Sequence, residues 1–354
     1  MYRHSAKHLI DLPRLILIGH GIRHEVGEKI EALGIGRRIL IVSGSRDTRI
    51  YAKEISDILS DRRFEVALID VRSSTIDDVA KVTDFSREYR ADAIMGLGGG
   101  KAIDVAKYAA KQVSKIFISF PTAPSHDGIA SPFASIKGVG EVRSVEAVTP
   151  IAIFVDLDYM IRSPRRLLIA GVGDLIAKFT AVLDWRLAHL LQNEYYAEYA
   201  ASLAIHSAKH VISAWRRIKN ASLDSYRIVV EGLISSGVAM CIAGSTRPAS
   251  GAEHLFSHAL DLVANYPALH GEQVGVGTIM MAYLHGKNWR KIRYILKALG
   301  APVSAKELGV SKEKIIEALT IAHKIRPERY TILGRDGFSR EAAENLATTT
   351  KVID

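Results

Sequence analysis

Short apolar runs alternate with amphipathic stretches over the first 165 residues, and this alternation restricts the fold more than any other feature of the chain. Each run has at most seven residues, nearly all apolar, as expected of strands buried on both faces of a parallel sheet. The runs cover residues 15–19, 38–43, 65–70, 91–97, 116–120 and 151–156. Between them, residues 47–59 and 76–89 carry apolar side chains at helical spacing. Strands that alternate with helices predict an open α/β sheet.

The pattern changes after Pro164, where the strand signal nearly vanishes and long helical patterns follow. These patterns cover residues 174–191, 195–219, 223–243, 252–263, 272–285 and 312–325. We therefore expect two domains, which is also what the length of 354 residues suggests. An α/β domain with a mainly parallel sheet would span residues 1–165, and an all-helical domain would span residues 166–354.

Charge and hydropathy narrow the possible partners. The chain has 47 Lys and Arg against 38 Asp and Glu, and the net charge of +9 favours anionic partners. The basic residues are spread along the chain without interleaved aromatic residues, so a solvated surface is favoured over nucleic-acid binding. No apolar stretch reaches the roughly 20 residues of a membrane span, and the N-terminus lacks the apolar core of a secretory signal. We expect a cytoplasmic protein with neither an integral membrane segment nor a nucleic-acid partner.

Three successive glycines, Gly98, Gly99 and Gly100, stand between a predicted strand and a predicted helix. Glycines let the backbone approach a phosphate closely, and the start of the following helix attracts the negative charge. The dinucleotide fingerprint would need glycine at Lys101, and a P-loop would need Ser or Thr at Ala102, so neither common motif is matched. A phosphate-binding turn is favoured, with a tight turn that binds no ligand as the alternative.

A second loop, residues 120–132, follows the next predicted strand and contains hydroxyl groups, a histidine and Asp127. Open α/β sheets bind their ligands at this carboxyl edge of the strands. The alternative is an ordinary proline-rich connection in which Asp127 and Gly128 only form a turn.

Histidines and a carboxylate in the second half suggest a metal site. His254 and His258 lie four residues apart on one predicted helical face, and His270 precedes the next helix. Asp174 ends the segment Gly171-Val-Gly-Asp174, which is expected to lead into a helix that starts at Asp174. Three such ligands suit a catalytic zinc with one open position. A zinc peptidase would need glutamate where Leu255 stands, so peptide hydrolysis is disfavoured. Taken singly, each histidine is also compatible with a purely structural role.

Taken in order, these motifs resemble the archaeal sn-glycerol-1-phosphate dehydrogenases. The resemblance covers nearly the whole chain, from the triple glycine through residues 121–131, 171–178 and 253–258 to the His270-Gly-Glu-Gln-Val segment. This family belongs to a superfamily with glycerol dehydrogenase, iron-type alcohol dehydrogenase and dehydroquinate synthase. The resemblance implies an N-terminal NAD(P)-binding domain and a helical domain that binds zinc and substrate. It also implies reduction of dihydroxyacetone phosphate to sn-glycerol 1-phosphate for archaeal membrane lipids, by an enzyme that is expected to be a homo-oligomer.

The resemblance also assigns site residues. It implies that the cofactor NAD or NADP contacts Gly98, Gly99, Gly100, Lys101, Ala102, Asp104, Thr122, Ser125 and Ser131. Zn²⁺ would be held by Asp174, His254 and His270, and the substrate would contact Asp127, Asp174 and His258. Asp127 and His258 are the residues implied to be catalytic.

Cofactor choice is suggested by the residues after the second predicted strand. They read Ser43-Gly-Ser-Arg46, which offers no carboxylate for a ribose 2′-hydroxyl and an arginine that could face a 2′-phosphate. We therefore expect use of both NAD and NADP.

Three alternatives stay open from the sequence. The chain could act on an unphosphorylated polyol as a glycerol or alcohol dehydrogenase. A lyase of the dehydroquinate synthase kind is disfavoured because such enzymes are expected to have glutamate where Asp174 stands. A non-catalytic basic protein would show steeply salt-dependent binding without a cofactor.

Overall fold

The computed structural model describes residues 8–44, 47–138 and 140–354. The strands are β1 Leu15–Gly19, β2 Arg38–Gly44, β3 Glu65–Val71, β4 Ala93–Gly98, β5 Ile116–Pro121, β6 Phe133–Gly138, β7 Gly140–Glu146 and β8 Ala152–Asp156. The helices are α1 Val26–Leu33, α2 Asp47–Asp61, α3 Ile76–Tyr89, α4 Gly100–Gln112, α5 Leu157–Met160, α6 Arg165–Gln192, α7 Glu198–Ile218, α8 Leu223–Ala243, α9 Ala252–Ala264, α10 His270–Leu284, α11 Trp289–Leu299, α12 Ala305–Leu308, α13 Lys312–Ile325 and α14 Arg340–Thr349. Short 3-10 helices cover Ile22–His24 and Asp127–Ile129.

Six strands form one parallel sheet in the order β1-β8-β5-β4-β2-β3. This confirms the predicted α/β fold and its six apolar strands, and the central ones are buried throughout, as in β4. The chain runs from β2 to β3 at one edge and then returns to place β4 on the other side of β2. Such a reversal opens a crevice at the carboxyl ends of β2 and β4, where α/β proteins bind ligands.

A two-stranded antiparallel hairpin, β6 with β7, is an element that the periodicity did not predict. It follows the second loop and packs against α4. Its first strand mixes small, polar and apolar residues and is only partly buried, so it carries none of the continuous apolar signal of the parallel strands.

Residues 157–354, all of them described, contain helices and no strand, which agrees with the predicted helical second half. The helix α8 is long and apolar enough to cross a membrane, but 72% of its most apolar window is buried inside the protein, as in a core helix. The helix α6 begins at Arg165, next to the predicted domain boundary, and the division into two domains stays a prediction.

The expectation that the Gly171-Val-Gly-Asp174 segment precedes a helix is wrong, because α6 runs without interruption from Arg165 through Gly171 and Gly173. These glycines allow close backbone approaches inside a helix. A Cβ on Gly171 would lie 2.0 Å from the carbonyl oxygen of Pro124, and one on Gly173 would lie 2.1 Å from that of Gly271. The first half of α6 therefore packs against the second loop and against the start of α10 by main-chain contact.

Candidate active site

One cavity of about 1130 Å³ joins the strand ends of the sheet to the helical half of the chain. On the sheet side it is lined by residues that follow β2, β3 and β4, including Thr48, Arg72 and Gly99. On the helical side it is lined by residues of α9 and α10, including His254 and His270. The crevice that the strand order opens is thus continuous with the region where the predicted metal ligands lie.

The glycine turn leaves room for a ligand at the start of α4. Gly99 has extended backbone ahead of the helix, and a Cβ built on it would have no atom within 4 Å. It lines the cavity together with Gly100, Lys101, Ala102 and Asp104. Open space and the unpaired N–H groups of a helix start are what a pyrophosphate requires.

Gly98 and Thr122 support the turn and are not among the residues that line the cavity. The Thr122 N–H donates to the Gly98 carbonyl oxygen at 3.0 Å, which joins the two loops. Gly98 has a φ of 146°, a conformation that favours glycine. Their predicted contacts to the cofactor stay predictions.

Asp104 and Lys107 form a buried pair on α4 that faces the second loop. Lys107 is fully buried, and its ammonium group donates to the carbonyl oxygens of Gly128 and Phe133. One carboxylate oxygen of Asp104 has no hydrogen-bond partner in the described part of the chain. Burial raises the pKa of Asp104, although the charge of Lys107 opposes this shift. The predicted cofactor residue Asp104 therefore has a buried carboxylate oxygen that accepts no hydrogen bond from the described residues and lies 3.8 Å from the Lys107 ammonium group. Lys107, which the sequence reasoning missed, holds the second loop in place.

The second loop delivers Ser125, Asp127 and Ser131 to the cavity wall, as its position after β5 predicted. The hydroxyl of Ser131 donates to the Phe133 carbonyl oxygen at 3.2 Å. His126 packs its ring against the glycine turn, since a Cβ on Gly100 would lie 2.0 Å from its Nε2 atom. The second loop and the glycine turn therefore form one continuous wall of the cavity.

Asp174, His254 and His270 come together from α6, α9 and α10, with one ligand atom of each within 4.8 Å of the others. The Nε2 atom of His254 lies 3.5 Å from Oδ1 of Asp174. Two imidazoles and one carboxylate are a donor set typical of catalytic zinc, which leaves a fourth position for substrate. The residues predicted as metal ligands are therefore placed where they could hold one ion.

Glu253 orients the ring of His254 through a hydrogen bond at Nδ1. It is fully buried, and its Oε1 atom lies 2.8 Å from Nδ1 of His254. The carboxylate also accepts from the Gly251 N–H at 2.6 Å and from the Thr180 hydroxyl at 2.7 Å. Burial alone would raise the pKa of this carboxyl, but the hydrogen bond and charge of His254, together with the hydrogen bonds from Thr180 and Gly251, lower it below its usual value. The hydrogen bond directs Nε2 of His254 towards the other ligands.

Lys178, one turn after Asp174 on α6, bridges two carboxylates. Its ammonium group lies 2.6 Å from Oδ1 of Asp174 and 2.8 Å from Oδ2 of Asp127. Burial opposes charge on both Lys178 and Asp174, yet the ion pair holds the pKa of Asp174 well below its usual range and raises that of Lys178. Sequence reasoning assigned no role to Lys178 or Glu253, although both are close in sequence to predicted ligands.

Asp127 and His258 are the residues implied to be catalytic, and both line the cavity. Oδ2 of Asp127 accepts from Lys178 and, at 2.8 Å, from the Ser236 hydroxyl. His258 is buried, and its Nδ1 atom has no partner among the described residues. Burial, followed by the charges of His254 and two arginines, lowers the pKa of His258 to about 3. A neutral His258 ring therefore faces the space beside the metal ligands.

The arginine predicted to face a 2′-phosphate, Arg46, lies outside the described residues. Another arginine, Arg72, follows β3 and lines the sheet side of the cavity. It is exposed and has no ion pair within the described ranges.

Comparison with known proteins agrees with the fold described above. A family model described as iron-containing alcohol dehydrogenase matches residues 17–164. A crystal structure of a probable glycerol dehydrogenase from Sinorhizobium meliloti 1021 has a TM-score of 0.79 at 18% identity and covers 98% of this chain and 99% of that one. Glycerol dehydrogenase from Schizosaccharomyces pombe has a TM-score of 0.77 at 20% identity, with 98% and 91% covered. The fold is therefore that of the glycerol and alcohol dehydrogenases.

More similar relatives define the family. Glycerol-1-phosphate dehydrogenase [NAD(P)+] of Aeropyrum pernix is 54% identical over 351 residues, which is 99% of this chain and 100% of that protein. The protein of the same name from Hyperthermus butylicus is 52% identical over 347 residues, with 98% and 99% covered. The chain belongs to the glycerol-1-phosphate dehydrogenase family, and the resemblance predicted from its motifs is confirmed.

Proposed function

We propose that this protein reduces dihydroxyacetone phosphate to sn-glycerol 1-phosphate with NADH or NADPH, in a reaction assisted by zinc. The observation that carries the proposal is the convergence of Asp174, His254 and His270 on a cavity whose other wall is the open glycine turn. The names of the relatives from Aeropyrum pernix and Hyperthermus butylicus support the substrate and the cofactor.

The cofactor would lie along the sheet side of the cavity. Its pyrophosphate would contact the backbone at Gly99 and Gly100, where a Cβ on Gly99 would meet only open space. We assign further contacts to Lys101, Ala102, Asp104, Ser125 and Ser131, all of which line the same cavity. Bound there, the reduced nicotinamide supplies the hydride, and the protein supplies position and charge.

Asp174, His254 and His270 would hold the metal ion, and the two imidazoles and one carboxylate suit zinc. When bound, zinc polarises the carbonyl group and stabilises the negative charge that develops on its oxygen. Glu253 and Lys178 keep two of the ligands in position, because each holds its partner at hydrogen-bond distance in a buried setting.

Asp127 and His258 would orient the substrate. The pKa of about 3 keeps the His258 ring neutral at physiological pH, so the ring serves as a hydrogen-bonding group with Nδ1 available. The carboxylate of Asp127, held by Lys178 and Ser236, would accept a hydrogen bond from the substrate hydroxyl. We assign delivery of the proton to this hydroxyl or to water.

We also propose that the protein works in the cytoplasm of an archaeon, in membrane phospholipid biosynthesis, as the family resemblance implies. Exposed apolar side chains near the junction of α6 and α7, namely Leu190, Leu191 and Tyr199, support a homo-oligomer. Sedimentation or light scattering would test the assembly.

The decisive assay follows oxidation of NADH and of NADPH with dihydroxyacetone phosphate, beside dihydroxyacetone as the unphosphorylated control. We expect steady turnover with the phosphorylated ketone, a product of sn-1 configuration, and loss of turnover after exhaustive chelation. Preference for dihydroxyacetone would favour the polyol alternative. Cofactor that returns to its starting absorbance would favour a lyase. Either result would overturn the proposal.

A further inference from the structure

The ring of His270 has a hydrogen-bond partner on the neighbouring helix. Its Nδ1 atom lies 3.3 Å from the hydroxyl oxygen of Ser257, a fully buried residue of α9. The same hydroxyl oxygen lies 3.4 Å from the side-chain amide oxygen of Gln273, which is fully buried on α10. A hydroxyl group has a single hydrogen to donate. Ser257 therefore donates either to His270 or to Gln273, and this direction determines which nitrogen of a neutral His270 ring carries the hydrogen.

The side-chain amide of Gln273 can be oriented in only one way. Its nitrogen atom lies 2.9 Å from Oδ1 of Asp261 and 3.0 Å from the Ala268 carbonyl oxygen. A main-chain carbonyl oxygen only accepts hydrogen bonds, so the amide nitrogen, and not the amide oxygen, must face Ala268. This orientation holds whatever the charge of Asp261. The amide oxygen of Gln273 then faces Ser257, where it can only accept.

The direction of every hydrogen bond in this chain follows from that orientation. Gln273 donates to Asp261 and to Ala268, and Ser257 donates its hydrogen to the amide oxygen of Gln273. The hydroxyl oxygen of Ser257 is left to accept from an N–H group at Nδ1 of His270. The opposite arrangement would leave the buried amide oxygen of Gln273 facing a hydroxyl oxygen without a hydrogen bond, which is costly away from water.

The two histidines of the predicted metal centre are thus held at the same ring position. Glu253 contacts Nδ1 of His254 at 2.8 Å, and Ser257 contacts Nδ1 of His270. The centres of these two imidazole rings lie 5.1 Å apart. Histidines that bind a metal usually donate their other ring N–H to a fixed acceptor, which sets the tautomer and the orientation of the ring. At His254 the acceptor is a carboxylate, whereas at His270 it is a neutral hydroxyl.

We propose that Ser257 and Gln273 are positioning residues, which hold His270 in the tautomer with hydrogen on Nδ1 and so leave the lone pair of Nε2 for the metal ion. Asp261 and the Ala268 carbonyl oxygen fix the amide that sets this direction. The proposal rests on the proposed function, in which His270 is a zinc ligand. It adds which nitrogen of His270 binds zinc and which residues select that nitrogen.

Nitrogen-15 NMR of the metal-free, histidine-labelled protein reads the tautomer directly, because a ring nitrogen with hydrogen and one with a lone pair resonate far apart. The signals of His270 are those that are missing from His270→Ala. We expect hydrogen on Nδ1 of His270 in the wild type, and a mixture of both tautomers in Ser257→Ala and in Gln273→Met. Thr278→Val is the matched control, because Thr278 is a fully buried hydroxyl residue of α10 that donates to the Val274 carbonyl oxygen of its own helix at 2.8 Å.

Zinc affinity provides a second readout without turnover. In competition with a chromophoric chelator, Ser257→Ala and Gln273→Met should each bind zinc about tenfold more weakly than wild type, and Thr278→Val should stay within about threefold. Binding of NADPH should be unchanged in all three variants, which would show that the loss is not one of folding.

Three results would overturn the proposal: hydrogen on Nε2 of His270 in the wild type, wild-type zinc affinity in Ser257→Ala or Gln273→Met, or an equal loss in Thr278→Val. The wild-type tautomer decides the matter even if a variant fails to fold. A wild-type protein that binds zinc and NADPH but does not reduce dihydroxyacetone phosphate would refute the proposed function instead. The tautomer and the zinc affinities would still decide the role of Ser257 and Gln273.

Discussion

Replacing Glu253 by glutamine tests whether a buried carboxylate prepares His254 to bind metal. Gln keeps the size of the side chain and can still contact the Thr180 hydroxyl and the Gly251 N–H, which lie 2.7 Å and 2.6 Å from the carboxylate. It removes the negative charge that lies 2.8 Å from Nδ1 of His254. The substitution therefore weakens the group that fixes the ring tautomer and raises the basicity of Nε2.

The expected magnitude follows from this arrangement. Partners that hold a metal-binding histidine typically contribute about tenfold to a hundredfold in metal affinity, which corresponds to about 1.4 to 2.7 kcal/mol. We expect the loss of zinc affinity in Glu253→Gln to lie near the upper end of this range. Glu253 is fully buried, and because its pKa is held below the usual value, the residue is charged at neutral pH. Competition between metal-free protein and a chromophoric zinc chelator measures the dissociation constant directly.

Asp184 offers a matched control. Its carboxylate is equally buried and accepts from the Ala252 N–H at 2.7 Å, at the same helix start, but its other contacts are to His285 and to the backbone of Ile332. Asp184→Asn should lower thermal stability and leave zinc affinity within about threefold of wild type. The reasoning is refuted if Glu253→Gln binds zinc as tightly as wild type, or if Asp184→Asn weakens zinc to the same extent.

Three other predictions concern the glycine turn, the metal centre and a titrating acid. Gly99→Val should keep the fold, because a Cβ there meets open space, and should raise the NADPH dissociation constant at least about tenfold by filling the phosphate position, which fluorescence titration would measure. His270→Ala should lose stoichiometric zinc and activity but still bind NADPH, whereas His258→Ala should keep zinc and lose rate or substrate affinity. Metal analysis of the two purified variants separates these outcomes, and full zinc in His270→Ala would show the ligand assignment to be wrong. Burial raises the pKa of Asp261 to about 6, so the folded state favours the protonated, neutral side chain. The contribution of this protonation to the free energy of unfolding is lost as the pH rises through 6. Asp261→Asn should therefore be more stable than wild type at pH 8, by at most about 3 kcal/mol, and its advantage in thermal unfolding should shrink towards pH 5; a constant gap would contradict the assignment.

The parallel strands were predictable because their burial is written as continuous apolar sequence, as at residues 39–42 of β2. The hairpin of β6 and β7 was not predictable in this way, because its first strand, Phe133–Gly138, mixes exposed with buried positions and includes polar residues. The start of α6 was not predicted either, because glycines such as Gly171 and Gly173 are unfavourable inside a helix and the predicted helix begins only after them. Their use in tight helix packing depends on neighbours that are distant in sequence.

The residues of the candidate site also divide into those that the sequence could identify and those that it could not. Asp174, His254 and His270 could be selected from sequence because their residue types and order matched a known family, and the structure brings them together. Glu253 and Lys178 could not be selected in that way. Their importance comes from contacts that only the assembled helices create, such as the approach of Lys178 to Asp127 on the second loop.

The backbone contacts at Gly171, Gly173 and Gly271 bear on how this scaffold can change over evolution. A Cβ on Gly271 would lie 1.9 Å from the carbonyl oxygen of Ala170, so here too main chain meets main chain. Distances set in this way depend on the absence of side chains and not on the identity of those that line the cavity. Gly271 itself lines the cavity, but substitutions at other positions of the cavity wall can accumulate without moving α6 relative to α10. New substrate specificities are accessible by exchange of wall residues alone, while the three glycines tolerate almost no change.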